Sequence, residues 1–145
     1  MTWRDEAVRK LKSYQAKCVA LENLPDDIRE QEQFLKNIRS AAPDSVSVKS
    51  GGVSRDDRIL NILTLREELS EAYRQTKAWV EKMERALAVL DSEEYALLDR
   101  FYIHPEKKAA DRLADDLQVD IKTVYRRKDK ALRKFTEARC GALET

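Results

Sequence analysis

Positively charged side chains are concentrated between residues 121 and 135, where seven Lys or Arg residues accompany one acid, Asp129. On a helical wheel of about 100° per residue, the apolar side chains of this segment share one side: Ile121, Val124, Ala131, Leu132 and Phe135. The opposite side carries Lys122, Arg126, Lys130 and Arg133, with Arg127 and Lys134 at one margin. Ordinary solvated faces mix both signs of charge, whereas this face is almost wholly cationic. It favours binding to the phosphates that line a nucleic-acid groove.

The residue types that commonly perform catalysis are scattered along the chain. The single histidine, His104, lies in a turn before Pro105, and we expect no acid or cysteine to act with it. Cys18 and Cys140 are too far apart in sequence for zinc-ligand spacing. Paired acids occur where helix starts and solvated faces explain them, at Asp26-Asp27, Asp56-Asp57 and Asp115-Asp116. With no glycine-rich phosphate loop, we expect no catalytic residue, no cofactor and no metal, and an enzyme is the least expected class.

The net charge of +1 is a cancellation between segments of opposite sign. Residues 91–120 hold 4 Lys or Arg and 9 acids, a net of −5. Residues 121–145 hold 8 Lys or Arg and 3 acids, a net of +5. A neutral total therefore does not exclude a nucleic-acid partner. We also hypothesise that Asp111, Asp115 and Asp116 keep the basic segment from binding DNA indiscriminately.

Composition predicts an all-α protein. The chain of 145 residues contains only 3 Gly and 3 Pro, too few for the many turns of a sandwich or barrel. No apolar run is long enough to span a membrane. The charged start of the chain lacks the apolar core of a signal peptide, so we expect a cytoplasmic protein.

Two helical regions precede the basic segment. Residues 1–39 carry a helical apolar seam from Ala7 to Leu21, and Pro25 is expected either to break or to kink this helix, with a break favoured. Residues 40–53 hold two of the three glycines and read as a flexible linker. Residues 54–90 keep one heptad register without Gly or Pro, which predicts a coiled-coil-like helix about 55 Å long. Such a helix needs a partner, either the first helices folded back on it or a second copy of the chain.

Residues 91–140 predict three further helices. Ser92 is the expected cap of the first, which must end near His104-Pro105. Pro105 is expected to open the second, whose small side chains allow a close helix crossing. Asp120 is expected to cap the third, after a short break at residues 118–120. A long helix, a short helix, a tight turn and a third helix follow the order of a helix-turn-helix unit.

Residues 90–132 resemble the region-four helix-turn-helix of sigma factors. More closely, they resemble small phage and prophage transcriptional regulators of the ArpU and RinA type, which carry this unit behind a helical hairpin. The resemblance is carried by Leu90-Asp91-Ser92-Glu93-Glu94-Tyr95-Ala96-Leu97-Leu98, Leu113-Ala114-Asp115-Asp116-Leu117-Gln118-Val119-Asp120, Thr123-Val124-Tyr125-Arg126-Arg127 and Lys130-Ala131-Leu132.

The resemblance implies that the helix beginning at Asp120 is the recognition helix. Its groove-facing positions would be Lys122, Thr123, Arg126 and Arg127, with Lys130 and Arg133 on the DNA backbone. Tyr125 lies at the margin between core and groove, and we expect it to pack in the core. Two residues depart from the family pattern: Gln118 replaces a turn glycine, which can alter the turn, and Lys128 takes a place that is usually apolar.

The function expected from the sequence is sequence-specific binding of double-stranded DNA to regulate transcription, in a protein of phage or prophage origin. Oligomerisation is expected through the 54–90 helix, and contact with RNA polymerase is left open. Two alternatives stay open as well. One is a phage assembly or DNA-packaging oligomer that uses a helix-turn-helix, and the other is a coiled-coil module whose basic helix binds an acidic protein.

Overall fold

A computed structural model describes residues 2–41 and 54–141, and throughout these ranges the chain is helical without β-strands. The all-α prediction is confirmed. The helices are α1 (Trp3–Ser40), α2 (Arg55–Leu87), α3 (Ser92–Leu98), α4 (Ala109–Leu117) and α5 (Ile121–Cys140). A π-helical segment, Asp99–Ile103, continues α3. The linker predicted at 40–53 lies outside the described residues from position 42 onwards, and Ser40 itself ends α1.

Helix α1 runs through Pro25 without interruption, so the expected break there is wrong. Pro25 lacks the N–H that would bond to the preceding turn, yet the half-buried face of the helix continues across it at Leu21, Leu24, Ile28 and Leu35. Leu21 and Ile28 are seven residues apart, so the apolar seams before and after the proline lie in one register. Packing of this continuous face outweighs the lost hydrogen bond. Thr2 caps the helix, because its Oγ1 accepts from the Asp5 N–H at 3.2 Å.

Helix α2 has the predicted heptad face but ends earlier than predicted. The Ser54 hydroxyl accepts from the Asp57 N–H at 3.1 Å and caps its start. The apolar residues in this register, Ile59, Ile62, Leu69, Tyr73, Val80, Met83 and Leu87, are half-buried or buried. Arg66 and Thr76 occupy two positions of the same register and are half-buried as well. The helix stops at Leu87 rather than at residue 90, and a turn follows over residues 88–90.

The chain divides into two compact units. The first combines the start of the chain up to Cys18 with the part from Ala78 onwards. Its main core brings α1, α2, α3 and α5 together around Ala7, Leu11, Met83, Ala86, Leu87, Leu98, Ile103, Ala131, Leu132 and Phe135. A second cluster joins α3, α4 and α5 through Leu97, Leu113 and Val124. These two clusters fix where α5 lies.

The second unit, Val19–Lys77, pairs the later part of α1 with the earlier part of α2. The Arg55 guanidinium donates to the carbonyl oxygen of Ile38 at 3.4 Å, so the end of α1 lies beside the start of α2. Among the described residues of this unit, Leu35 alone is buried. Phe34 and Leu65 remain 44% and 40% exposed. This unit therefore has a seam between two helices rather than a closed core.

The short helices are defined by their caps. Asp91, not the expected Ser92, caps α3 and forms a reciprocal capping box with Glu94. Helix α4 begins at Ala109 rather than Pro105, because Lys108 adopts a left-handed conformation directly before it. Gln118 takes the left-handed position after α4, with φ 57°, a conformation that glycine more often adopts. Asp120 caps α5 as predicted, accepting from the Thr123 N–H at 2.8 Å.

No helix in the described part of the chain is both long enough and apolar enough to cross a membrane.

Candidate nucleic-acid interface

Helix α5 has one face fixed in the protein and another face in solvent. Val124, Ala131, Leu132 and Phe135 are at most 2% exposed, and they pack against α1, α2, α3 and α4 in the two core clusters. Because these side chains are locked, the opposite face has a defined orientation. Eight of the twenty residues of α5 are Lys or Arg, and two are acids. The exposed face is therefore a rigid cationic surface.

Three of the predicted DNA-binding residues form an uninterrupted row on that face. Lys122, Arg126 and Lys130 are exposed and follow one another at intervals of four residues. None of the three makes an ion pair with any residue in the ranges 2–41 and 54–141. The row spans about 12 Å along the helix axis. Its charges are available to a ligand without breaking an internal contact.

Two other predicted residues are held by acids of the protein. The Arg127 Nη1 lies 2.7 Å from the Glu93 Oε1, across the gap between α5 and the start of α3. The Arg133 Nε lies 3.2 Å from the Asp129 Oδ2 on the same helix. Lys134, at the same margin as Arg127, lies 2.9 Å from the Glu94 Oε1. These cations would have to exchange a carboxylate partner for a phosphate.

Thr123, the sixth predicted residue, is half-buried and belongs to the cap of α5. Hydrogen bonds from the Thr123 side chain and backbone hold the pKa of Asp120 below its ordinary value. The carboxylate is thereby kept charged next to the helix N-terminus, where negative charge is favourable. The structure thus gives Thr123 a role in starting α5 as well as a place beside Lys122.

Asp129 connects α5 to the beginning of α1. The Arg4 guanidinium binds it through Nε at 2.9 Å and Nη2 at 3.3 Å, while Arg133 binds it from α5. The Trp3 ring contacts both arginines, with its centroid 4.5 Å from the Arg4 guanidinium carbon and 5.2 Å from that of Arg133. The hydrogen bond from Arg4 is the main cause of a lowered pKa at Asp129. This cluster pairs Arg133 with an acid and leaves the row of Lys122, Arg126 and Lys130 outside it.

Ile121 and Tyr125 are not in the core, contrary to the sequence expectation. They are 43% and 48% exposed beside Lys122 and Arg126. On the helical wheel Ile121 lies on the same side as the buried residues. It belongs to the first turn of α5, however, and side chains there point towards the N-terminal end of the helix and away from the core. The position of Ile121 at the very start of the helix was the sequence signal that could have indicated its exposure.

Lys128 is packed on aromatic rings rather than reaching into solvent. Its ammonium nitrogen lies 4.7 Å from the Phe101 ring centroid, 4.9 Å from that of Tyr125 and 5.6 Å from that of Tyr102. Its position is compatible with a lysine because the rings attract its charge. The pattern departure at this position therefore does not disturb the packing of α5.

The histidine has an acidic neighbour that the sequence expectation did not give it. The His104 Nδ1 lies 2.6 Å from the Asp99 Oδ1, and the His104 N–H donates to the Asp99 carbonyl at 2.7 Å. Arg100, in the same segment, lies 2.6 Å from Glu106 and 2.7 Å from Asp116. These contacts close the end of the α3 segment and attach it to α4, and so help to position α5.

Comparison with protein-family models, with curated proteins and with solved structures finds no significant match to this chain.

Proposed function

We propose that this protein binds double-stranded DNA sequence-specifically and regulates transcription, with α5 in the major groove. The observation that carries the proposal is the row Lys122–Arg126–Lys130. These three cations are exposed and have no ion-pair partner among residues 2–41 and 54–141, and the other face of their helix is buried at Val124 and Phe135. The order α3, α4, left-handed turn and α5 fits a helix-turn-helix unit with α5 as its recognition helix.

The chemistry of the row suits a DNA groove. A major groove is about 12 Å wide and admits one α-helix. Cations along the helix neutralise phosphates on the groove walls, which gives affinity without sequence information. Arg126, in the second turn of α5, is within reach of base edges when the start of the helix enters the groove, and arginine can bind guanine O6 and N7 together.

The resemblance of residues 90–132 to phage and prophage regulators supports a role in transcription rather than in packaging. We propose that α1 and α2 assemble the protein into an oligomer through the half-exposed faces of Val19–Lys77. The exposed large apolar side chains that a second copy would cover are Val19, Phe34, Leu60 and Leu65. The proposed contact with RNA polymerase rests only on the resemblance to phage and prophage regulators.

Charge reversal on α5 tests the proposal directly. Arg126→Glu is expected to abolish binding to duplex DNA at low salt, because it puts a negative charge in the middle of the row. Binding is measured by fluorescence anisotropy, and circular dichroism checks that helicity is retained. The matched control is Arg85→Glu, at an exposed arginine of α2, which is expected to leave binding intact. Full binding by Arg126→Glu would rule out this groove-facing assignment.

The two alternative functions, DNA packaging and binding of an acidic protein, predict different results for the same purified protein. A packaging oligomer would have a ring-sized mass by light scattering, whereas the proposed regulator would have the mass of a small oligomer. An interaction module would bind an acidic protein and fail to bind DNA at any salt concentration.

A further inference from the structure

Ile121 and Tyr125 are the two large apolar side chains that α5 leaves exposed, at 43% and 48%. The other large apolar residues of this helix, Val124, Leu132 and Phe135, are at most 2% exposed. The exposed pair is therefore not a loosely packed margin of the core. It forms a separate apolar spot in the first two turns of the helix.

The apolar pair lies alongside the cationic row. Ile121 and Tyr125 are four residues apart, and so are Lys122 and Arg126. Because Lys122 and Tyr125 are three residues apart, the two pairs are neighbours on the helix surface. A partner that covers one pair must meet the other. Such a partner carries negative charge and apolar groups within about one helical turn of each other, which is 5.4 Å.

Tyr125 is held in place on one side. Its ring centroid lies 6.0 Å from that of Phe101, with the ring planes at 52°, and the Lys128 ammonium lies 4.9 Å from its centroid. Phe101 is half-buried beside the cluster of Leu97, Leu113 and Val124. The covered side fixes the ring, so the exposed side is presented in a defined position rather than swept through solvent.

In the major groove, the apolar group that distinguishes one base pair from the others is the C5 methyl of thymine. Phosphates lie on the groove walls within reach of a helix that touches base edges. A DNA groove thus offers both features that the α5 surface requires, close together. A protein surface that matched both would need acids placed around an apolar spot.

We propose that Ile121 and Tyr125 contact the methyl groups of thymines in the recognised site and so determine its sequence together with Arg126. This inference rests on the proposed DNA binding. It adds the class of site: duplexes with thymines at the positions that face the first two turns of α5.

The test exchanges thymidine for deoxyuridine, which removes the methyl group and keeps base pairing. A duplex is selected from a random pool with the full chain, and then resynthesised with deoxyuridine at each thymine in turn. Removal of a contacted methyl is expected to weaken binding about fourfold. Substitution at thymines outside the contacted positions is expected to have no effect.

Protein variants assign the effect to residues. Ile121→Ala and Tyr125→Ala change exposed side chains, so the fold is expected to survive, as circular dichroism can verify. Each variant is expected to lose sensitivity to deoxyuridine at one position and to keep the salt dependence of the wild type. The matched control is Val89→Ala, at an aliphatic residue that is 47% exposed in the turn after α2, which is expected to keep the full deoxyuridine effect.

The outcomes separate this inference from the proposed function. Tight DNA binding with equal affinity for thymidine and deoxyuridine duplexes would overturn the inference and leave the proposed function standing. The same holds for a deoxyuridine effect that persists in both variants, or for a selected site without thymines. Failure to bind any duplex at low salt would overturn both.

Discussion

The ion pair between Glu93 and Arg127 occupies one of the cations at the margin of α5. Both side chains are more than a third exposed, at 42% and 41%, so solvent screens their attraction. Exposed pairs of this kind contribute about 0.2–1 kcal/mol. While the pair is formed, Arg127 is not available to another anion. The acids that meet α5 are Glu93 and Glu94, whereas Asp116, one of the acids expected to shield it, pairs with Arg100.

Glu93→Gln is expected to strengthen the proposed DNA binding, because it releases Arg127 and removes a negative charge beside the cationic row. Titration at several salt concentrations should show one additional phosphate contact, a change of about −0.9 in the slope of log affinity against log salt. Glu68→Gln, at an exposed acid of α2, gives the same change in net charge and serves as the control. An equal effect of the two variants would show that net charge alone is responsible.

Asp129 makes the junction of α1 and α5 sensitive to acid. Its pKa is held below the ordinary value of 3.8, mainly by the hydrogen bond from Arg4. Because the folded-state pKa is lowered, the stabilisation is complete above 3.8 and is lost as the pH falls through the folded-state value. Asp129→Asn is therefore expected to lower Tm at pH 7, and its difference from the wild type should shrink below pH 4.

Thermal melts between pH 7 and pH 3 measure this difference. Asp27→Asn changes an exposed acid of α1 that makes no ion pair with the described residues, and is expected to leave Tm nearly unchanged. A constant Tm difference between Asp129→Asn and the wild type across the whole range would contradict the role assigned to Arg4.

Among the helices, α1 shows best what a sequence pattern can and cannot establish. A proline in a helix interior costs about 3 kcal/mol, which made a break at Pro25 the local expectation. The seven-residue spacing of Leu21 and Ile28 contained the opposing signal, because a broken helix has no reason to keep its register. Local propensity and long-range packing compete at this residue, and only the packed structure shows which of them prevails.

Pro25→Ala tests whether α1 is one helix. In a continuous helix the substitution restores a hydrogen bond and removes a steric clash, so it is expected to raise the free energy of unfolding by about 1–3 kcal/mol. Urea denaturation followed by circular dichroism measures the change. Ala16→Gly, at an exposed position of α1, is the control and should be destabilising by about 1 kcal/mol. A neutral Pro25→Ala would indicate two separate helices that meet at this residue.

The start of α5 and most of its buried face were predicted correctly because their signals are local, whereas Ile121 and Tyr125 were wrongly expected in the core. The Asp120 cap, the buried face at Val124 and Phe135 and the exposed row all follow from spacing along one helix. The pairs between Arg127 and Glu93 and between Arg4 and Asp129 join residues 34 and 125 positions apart. No periodicity reveals such pairs, since they depend on how helices cross. The sequence could therefore identify the surface of α5 but not which of its charges are free.

In the molecule as a whole, a net charge of +1 coexists with a basic face because opposite charges are segregated along the chain. The structure brings part of that segregated charge together again at the margin of α5, through Glu93, Glu94 and Asp129. The result is a small cationic row bordered by acids. Such a surface gives weaker non-specific attraction to DNA than a broadly basic protein does, and leaves more of the affinity to contacts with bases.

The affinity of the full chain for duplex DNA as a function of salt concentration tests this account most directly. Three unpaired cations on α5 predict that log affinity falls against log salt with a slope of about −3 per bound protomer. Arg126→Glu should abolish the binding from which that slope is measured. An affinity that does not change with salt, or no binding at low salt, would contradict the claim that α5 is a DNA-binding surface.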